Sequence, residues 1–191
     1  MLKQPFDLLQ RDSTTRLAKV QSVLQSTPRA DRLRRNVVVT WCVIELDNLI
    51  INMQREFLVS SLMWCRTAQG LPVRHNIGRL NQQDAARYII SILEPKKYKN
   101  LGPGLIERRD EAVLRNPAKV MQVATAASMS NIQSVVNALS LNSSAFTELS
   151  IARHFFAHRN SQTATKVVAL AAARGMQMPI DAWMVVDIQV L

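Results

Sequence analysis

Glycine, cysteine and aromatic residues are all scarce in this chain, and each scarcity excludes a class of protein. Only 5 glycines and 5% aromatic residues occur among 191 residues, while alanine, leucine, glutamine and arginine recur, which favours helix over sheet. The two cysteines, Cys42 and Cys65, are too few and too far apart for a disulfide framework or a zinc ribbon. We therefore expect buried thiols in a reducing compartment.

Long uninterrupted apolar runs are also missing. The most apolar run, Val37 to Ile51, is interrupted by Glu45, Asp47 and Asn48, so we predict that it does not span a membrane. The first residues lack the sustained apolar core of a signal peptide. These features predict a soluble cytoplasmic protein with no membrane partner.

Acidic residues are outnumbered, and the excess of basic residues is uneven. The net charge is +10, from 24 Lys and Arg against 14 Asp and Glu. Between Ala112 and Ile180 the only acidic residue is Glu148. Such a charge favours a polyanionic partner, with nucleic acid as the first choice, but it indicates non-specific attraction rather than a fold. A well-solvated surface is the alternative.

The pattern of apolar residues predicts one all-α domain over residues 1–191. Hydrophobic residues make up 48% of the chain, enough for a substantial core at this length. The longest predicted helix, over residues 31–68, is apolar on most sides, which is typical of a central helix or of one that also contacts another subunit. The result is a helical bundle around one long central helix. The predicted helices cover residues 6–27, 31–68, 82–93, 105–115, 118–139 with a break near 128–131, 145–158 and 166–174. Pro179 is the expected start of a last helix, although the β-branched residues that follow leave a strand open.

Three further segments carry charge. Residues 69–81 form a predicted loop in which His75 is expected to be exposed. Residues 95–104 form a predicted basic loop, whose Tyr98 among lysines suits base stacking and phosphate contact, although a plain polar surface is the simpler interpretation. Four arginines in 29–35 form either a solvated helix end or an anion-contacting patch. The lysines of the basic loop are Lys96, Lys97 and Lys99.

The segment at residues 151–160 concentrates the chemistry of the chain. It holds Arg153, His154, His158 and Arg159, two of the chain's three histidines among them. Imidazoles move protons near neutral pH, and guanidinium groups hold phosphate at two points. On a helix His154 and His158 share one face, while Arg153 points away from His158. Arg153 and His158 can serve one site only if the helix ends or bends, or if a second copy supplies the missing half.

Three interpretations of this segment stay open from the residues alone. The first is a capped, partly buried helix end. The second is a zinc site, because two histidines four residues apart fit zinc, but no third ligand is evident and Glu148 lies far back on the helix. The third is an acid–base pair with a phosphate-binding arginine, as phosphoester cleavage without metal requires.

The sequence from Arg153 to His158, followed by Arg159 and Asn160, resembles the R-x4–6-H motif of the HEPN superfamily. The early long helix and the late motif also resemble the helical domains of that family. The resemblance implies an all-α HEPN-type domain that acts as an endoribonuclease without metal or cofactor. Many members act in toxin–antitoxin, abortive-infection or CRISPR-linked defence systems, so an antitoxin or regulatory protein is an implied partner.

The resemblance also implies roles for single residues. Arg153 would stabilise charge on the scissile phosphate, and His158 would be the general base or acid for attack by the RNA 2′-hydroxyl. His154 would orient or polarise, while Arg159 and Asn160 would grip RNA or hold the loop. In the family two protomers bring their motifs into one cleft, which implies a homodimer. The alternatives are an inactive HEPN-like module for dimerisation or nucleic-acid binding, and a helical protein that coats nucleic acid.

Overall fold

The computed structural model describes residues 6–67, 69–140 and 143–176, with Ser143 described by its backbone alone. This part of the chain forms eight α-helices and no strand, which confirms the predicted all-α fold. The possible helix or strand predicted after Pro179 lies outside the described residues. The helices are α1 (Phe6–Ser26), α2 (Arg32–Leu62), α3 (Gln82–Leu93), α4 (Pro95–Asn100), α5 (Pro117–Ala126), α6 (Ile132–Ser140), α7 (Ser143–His158) and α8 (Ser161–Ala173).

The chain divides into two compact units, and α1 and α2 each contribute to both. The bundle unit consists of the residues up to Thr14 together with Ile50–Ser143. The motif unit consists of Thr15–Leu49 together with the residues from Ser144 onwards. Each unit has its own cluster of buried apolar residues. The single domain over residues 1–191 stays a prediction.

The core of the motif unit is built from four helices. Its buried side chains recur every three or four positions along each helix, so that one stripe of each helix faces the core. Cys42 is one of them, and it is a buried thiol, as is Cys65 of the bundle unit. The buried set is Val20 and Leu24 of α1, Val39, Cys42 and Val43 of α2, Ala152 and Phe156 of α7, and Val167 and Ala171 of α8.

A buried arginine joins α1 to α2. Arg35 is 2% exposed, and its Nη1 donates to the backbone oxygens of Leu24 (2.6 Å) and Thr27 (2.9 Å). These carbonyl groups lie at the end of α1, where a helix leaves its last acceptors without partners within the helix. The prediction that all four arginines of residues 29–35 are surface charges is therefore wrong for Arg35. The other three are exposed: Arg29, Arg32 and Arg34.

Helix α2 is the predicted long helix, and it ends at Leu62 rather than near residue 68. Leu58 and Leu62 are fully buried in the bundle unit, whereas Trp41 and Ile44 are each 39% exposed. Among the described helices, α2 is the one whose length and composition would allow it to cross a membrane. The mean hydropathy of its most apolar 18-residue window is 1.3, and 28% of that window is buried.

The bundle unit encloses an ion pair beside its apolar core. Arg55 donates from Nε and Nη2 to the two carboxylate oxygens of Glu111 and from Nη1 to Glu56. Arg108 adds a hydrogen bond of 2.7 Å to Glu111. Burial alone would raise the pKa of Glu111, but hydrogen bonds and charge from Arg55 and Arg108 hold it below its ordinary value. The hydrogen bonds that Arg55 donates to Glu111 in turn raise the pKa of Arg55.

Two predictions about the connection from α3 to α5 are wrong. Residues 105–115 are not a helix but contain one short 3₁₀ turn, Arg108–Asp110. The side chain of Gln83 accepts a hydrogen bond from the N–H of Ile106 (2.7 Å) and donates one to its carbonyl (3.4 Å). These two bonds hold the segment extended against α3. Residues 95–104 are not entirely a loop, because Pro95 begins α4 at a position where proline is favourable.

Candidate active site

Helix α7 presents two different faces in its last two turns. Ala152 and Phe156 are buried in the core of the motif unit. His154 and His158 are exposed, and their rings are stacked with centroids 6.0 Å apart and planes at 22°. Both pairs are four residues apart, the spacing that places side chains one above the other on a helix. The apolar pair therefore fixes the direction in which the two imidazoles project.

Arg153 lies between these faces and is paired with an aspartate of α2. Its Nε lies 3.6 Å from Oδ2 of Asp47, and the exposed fractions of the two side chains are 35% and 3%. A buried carboxylate is unfavourable unless a cation or hydrogen-bond donors compensate it, so Asp47 favours a fixed position for the Arg153 guanidinium. At 3.6 Å the contact is an ion pair rather than a hydrogen bond.

Sequence reasoning missed the role of Asp47, although a signal was present. In the sequence, Asp47 stands out only as an acidic residue that interrupts an apolar run. Asp47 follows the buried Val39 and Val43 at intervals of four residues, so it occupies a core position of α2. An acidic residue at such a position predicts a cationic partner from another element, because few charges are buried unpaired.

Arg159 forms the turn between α7 and α8. It has a left-handed backbone (φ 43°), and its N–H donates to the carbonyl of Phe155 at 2.7 Å. Its guanidinium donates to Oγ1 of Thr40 at 3.1 Å and lies 5.8 Å from the centre of the Phe156 ring. Arg159 is thus exposed but held against α2 and α7 within the motif unit.

Asn160 is the N-cap residue of α8. Its side chain accepts from the backbone N–H of Thr163 (2.9 Å), and Thr163 Oγ1 accepts from the backbone N–H of Asn160 (3.2 Å). This capping box begins α8 at Ser161, five residues before the predicted start. A structural role for Asn160 is therefore evident, and its predicted contact with RNA stays a prediction.

Arg153 and His158 do not share a face of α7. They are five residues apart, which corresponds to about 140° around the axis of a regular helix. Helix α7 continues through His158, so it neither ends nor breaks between the two residues. Arg153 and His158 can therefore serve one site through a bend of α7 or through a second copy of the chain.

The other predicted nucleic-acid contacts belong to the bundle unit. Lys96 and Lys99 are exposed on α4, and Lys97 is half-buried with its Nζ 3.8 Å from Glu94. All three lysines lie on one short helix, and their contact with RNA stays a prediction.

No group of three or more His, Cys, Asp or Glu side chains suited to a metal ion occurs among the described residues. No protein-family model, no curated protein and no solved structure matches the chain. The resemblance to the HEPN superfamily therefore depends on the motif residues and on the helical pattern.

Proposed function

We propose that the chain is a metal-independent endoribonuclease of the HEPN type. The observation that carries this proposal is the exposed pair of His154 and His158 next to Arg153, whose guanidinium is anchored on the buried Asp47. In the described part of the chain Asp47 is the one acidic partner of Arg153, and it approaches Nε. The two Nη nitrogens remain for a phosphate, which guanidinium groups bind at two points.

The reaction needs one proton acceptor, one proton donor and positive charge at the phosphorus. His158 removes the proton from the RNA 2′-hydroxyl, whose oxygen attacks the neighbouring phosphorus. The bond from phosphorus to O5′ breaks, and O5′ takes a proton from a protonated imidazole. Arg153 stabilises the charge on the phosphoryl oxygens, and His154 orients the catalytic ring. The products are a 2′,3′-cyclic phosphate and a 5′-hydroxyl.

A homodimer completes the site, and a stripe on α2 supports it. Four apolar residues spaced four, four and three positions apart are exposed on the N-terminal half of α2. One face of a helix with this spacing is the pattern by which two helices pack together. Thr40, next to Trp41, holds Arg159, so the stripe adjoins the motif within the same unit. The stripe is Leu33 (80% exposed), Val37 (63%), Trp41 (39%) and Ile44 (39%).

The first test is cleavage of a mixed RNA in excess EDTA by the wild type and by His158→Ala. We expect the substitution to lower the rate by about 10² to 10⁴, the usual contribution of a general acid or base. Its thermal stability should not change, because His158 is exposed. Lys166→Ala, at an exposed position of α8, is the matched control. Equal rates in the wild type and His158→Ala would overturn the assignment.

A second test asks whether two protomers share one site. Arg153→Ala and His158→Ala proteins are each expected to be inactive. Mixed in equal amounts, they should recover roughly a quarter of wild-type activity, because half of the dimers are mixed and one of their two sites is intact. Trp41→Glu should give a monomer that recovers nothing. A mixture as inactive as its components, with dimers present, would contradict the shared site.

The competing candidate is an inactive HEPN-like module for dimerisation or RNA binding. It is favoured by the fact that motif residues also have structural partners: Arg153 pairs with Asp47, and Asn160 caps α8. This candidate predicts a dimer that binds RNA and cleaves none. A toxin, abortive-infection or defence context, a cytoplasmic location and an antitoxin or regulatory partner stay predictions.

A further inference from the structure

The segment that follows α2 in the bundle unit is cationic and carries an exposed tryptophan. Between Glu56 and Asp84 the chain has no acidic residue, and the segment contains Arg66, Arg74 and Arg79. All three arginines are exposed. A segment of this kind attracts a polyanion and adds no negative charge of its own.

Trp64 occupies a backbone position that disfavours a large side chain. The N–H groups of Trp64 and Cys65 bond back to the carbonyls of Ser61 (3.2 Å) and Ser60 (3.1 Å), the pattern of a Schellman motif at the end of α2. In that motif the residue at the place of Trp64 is left-handed and usually glycine. Trp64 has φ 61° there, and 45% of it is exposed. Its ring is therefore presented at the surface at a conformational cost.

The indole of Trp64 contacts the imidazole of His75. The two rings meet edge to face with centroids 6.0 Å apart and planes at 77°. His75 Nε2 donates to the carbonyl of Leu62 (2.9 Å), the last residue of α2, and Nδ1 accepts from the N–H of Ile77 (3.4 Å). His75 is thus half-buried and bonded rather than exposed, so the earlier prediction about it is wrong.

The backbones of two arginines lie close to that of Trp64 because the chain doubles back on itself. Residues 66 and 72 form a β-bridge, and Val73 N–H donates to the carbonyl of Cys65 at 2.9 Å. The bridge therefore brings the backbone of Arg74 close to the end of α2, where Trp64 lies. The backbone of Arg74 is fixed to Ser130 by two hydrogen bonds (3.0 and 2.9 Å). Arg66 donates to the carbonyl of Gly70 at 2.8 Å, which orients its guanidinium.

We propose that Trp64, Arg66 and Arg74 form a binding surface for single-stranded RNA. The exposed indole of Trp64 stacks on a base, and the two arginines contact the adjoining phosphates. The inference rests on the proposed function for its ligand, RNA, and deepens it by naming the class: a single strand with unpaired bases. A duplex keeps its bases stacked on one another and leaves none for the indole.

The test measures binding of a single-stranded RNA of about twelve nucleotides to the full chain carrying His158→Ala. Adding Trp64→Ala should weaken binding about tenfold, the effect of losing one stacked base. Trp64→Phe should restore most of it, since a smaller aromatic ring still stacks. Leu71→Ala, at a neighbouring apolar residue that is 61% exposed, is the matched control and should bind as the parent does.

An abasic oligonucleotide of equal length separates stacking from charge. On it Trp64→Ala should have no effect, whereas Arg66→Gln with Arg74→Gln should weaken binding to both ligands. The same pair should lower the slope of log affinity against log salt by about 1.4. If Trp64→Ala weakened binding to the abasic strand as much as to the intact strand, or weakened binding to a duplex, stacking would be overturned. Trp64 would then belong to a general contact surface for anions.

A last variant distinguishes a functional tryptophan from a structural one. Trp64→Gly places the favoured residue at the left-handed position, so its melting temperature should be equal or higher while RNA binding falls. A lower melting temperature together with lost binding would overturn the proposal. RNA binding is measured in the His158→Ala background, separately from cleavage by the wild type. If RNA binding depends on Trp64 but the wild type cuts no RNA, only the ribonuclease proposal is refuted. A chain that cuts RNA but ignores Trp64 refutes this inference alone.

Discussion

Each unit of the molecule pairs an arginine with a partly or fully buried carboxylate, but the two pairs differ in how completely they are closed. In the bundle unit the side chains of Arg55 and Glu111 are 10% and 13% exposed, and all three guanidinium nitrogens of Arg55 donate to carboxylates. In the motif unit Arg153 is 35% exposed and approaches Asp47 through Nε at 3.6 Å.

Under the proposed function, this difference separates a structural ion pair from one whose arginine binds a phosphate. Every nitrogen of the Arg55 guanidinium already donates to a carboxylate in a nearly buried site, so the pair of Arg55 and Glu111 serves the fold. Arg153 is anchored by one nitrogen and retains the others, which is what a preorganised group for an anionic transition state requires. Each prediction below perturbs one pair and asks whether the effect appears in cleavage or in stability.

Among changes to the two ion pairs, Arg153→Lys should have the largest effect, a loss of cleavage. An ammonium group preserves the charge but not the planar two-point contact, so the rate should fall by about 10² to 10³. Stability should change little, because lysine can still pair with Asp47. The matched change is Arg55→Lys, which should destabilise the fold while the remaining folded protein keeps its rate. If both variants lose stability and neither loses cleavage, the two pairs do not differ as proposed.

The next effect is on stability, through Glu111→Gln. Removing the charge leaves Arg55 with Glu56 as its remaining acidic partner, and loss of one member of a buried pair destabilises by about 3 kcal/mol. Urea unfolding at about pH 6 measures this free energy. Glu107→Gln is the control, because Glu107 pairs with Arg109 at the surface and should contribute less than about 1 kcal/mol.

The pH dependence of the same pair has a definite sign. The folded-state pKa of Glu111 lies below its ordinary value of 4.5, so the folded state binds the proton less readily than the unfolded state. The stabilisation is therefore fully present above that ordinary value and is lost as the pH falls through the folded-state pKa. The stability difference between wild type and Glu111→Gln should shrink on acidification. A difference that grew in acid would contradict the assignment.

A smaller effect is expected from Asp47→Asn. The amide keeps the shape of the aspartate but removes the charge that positions Arg153, so cleavage should fall by about tenfold, less than for Arg153→Lys. A loss in kcat with an unchanged KM would indicate positioning of Arg153 in the transition state. Glu45→Gln, two residues away and paired with Arg16, is the control. An equal loss in both variants would indicate that the charge of α2 matters generally rather than the anchor.

The sequence was sufficient for what depends on local periodicity. The helical class, the extent of α3 and the break between α5 and α6 follow from the spacing of apolar residues and from Pro117. The exposed histidine pair on one face of α7 follows from the same spacing. These features depend on residues within one or two turns of each other, which is the range that a sequence pattern describes.

Features that depend on distant partners could not be predicted in this way. Residues 105–115 have the composition of a charged helix, but Gln83 and Arg55 hold that segment from other elements. Arg35 has the sequence pattern of a surface charge, yet it is buried, because the carbonyls at the end of α1 accept hydrogen bonds from its guanidinium. The pairing of Arg153 with Asp47 depends on how α2 packs against α7. The residues next to Arg153 and Asp47 in the sequence do not reveal that packing.

The smallest expected effect concerns Asn160, for which a cap and an RNA contact make different predictions. Asn160→Ala removes the capping box of α8 and should destabilise the fold by about 1 kcal/mol, whereas Asn160→Ser preserves a good N-cap and should not. Thermal unfolding and RNA affinity are measured on both variants, each also carrying His158→Ala so that no RNA is cut. A cap alone predicts that Asn160→Ser binds RNA as its parent does, because the turn that carries Arg159 stays in place. If Asn160→Ser keeps its stability but loses affinity, the amide itself contacts RNA, and the motif extends past the end of α7.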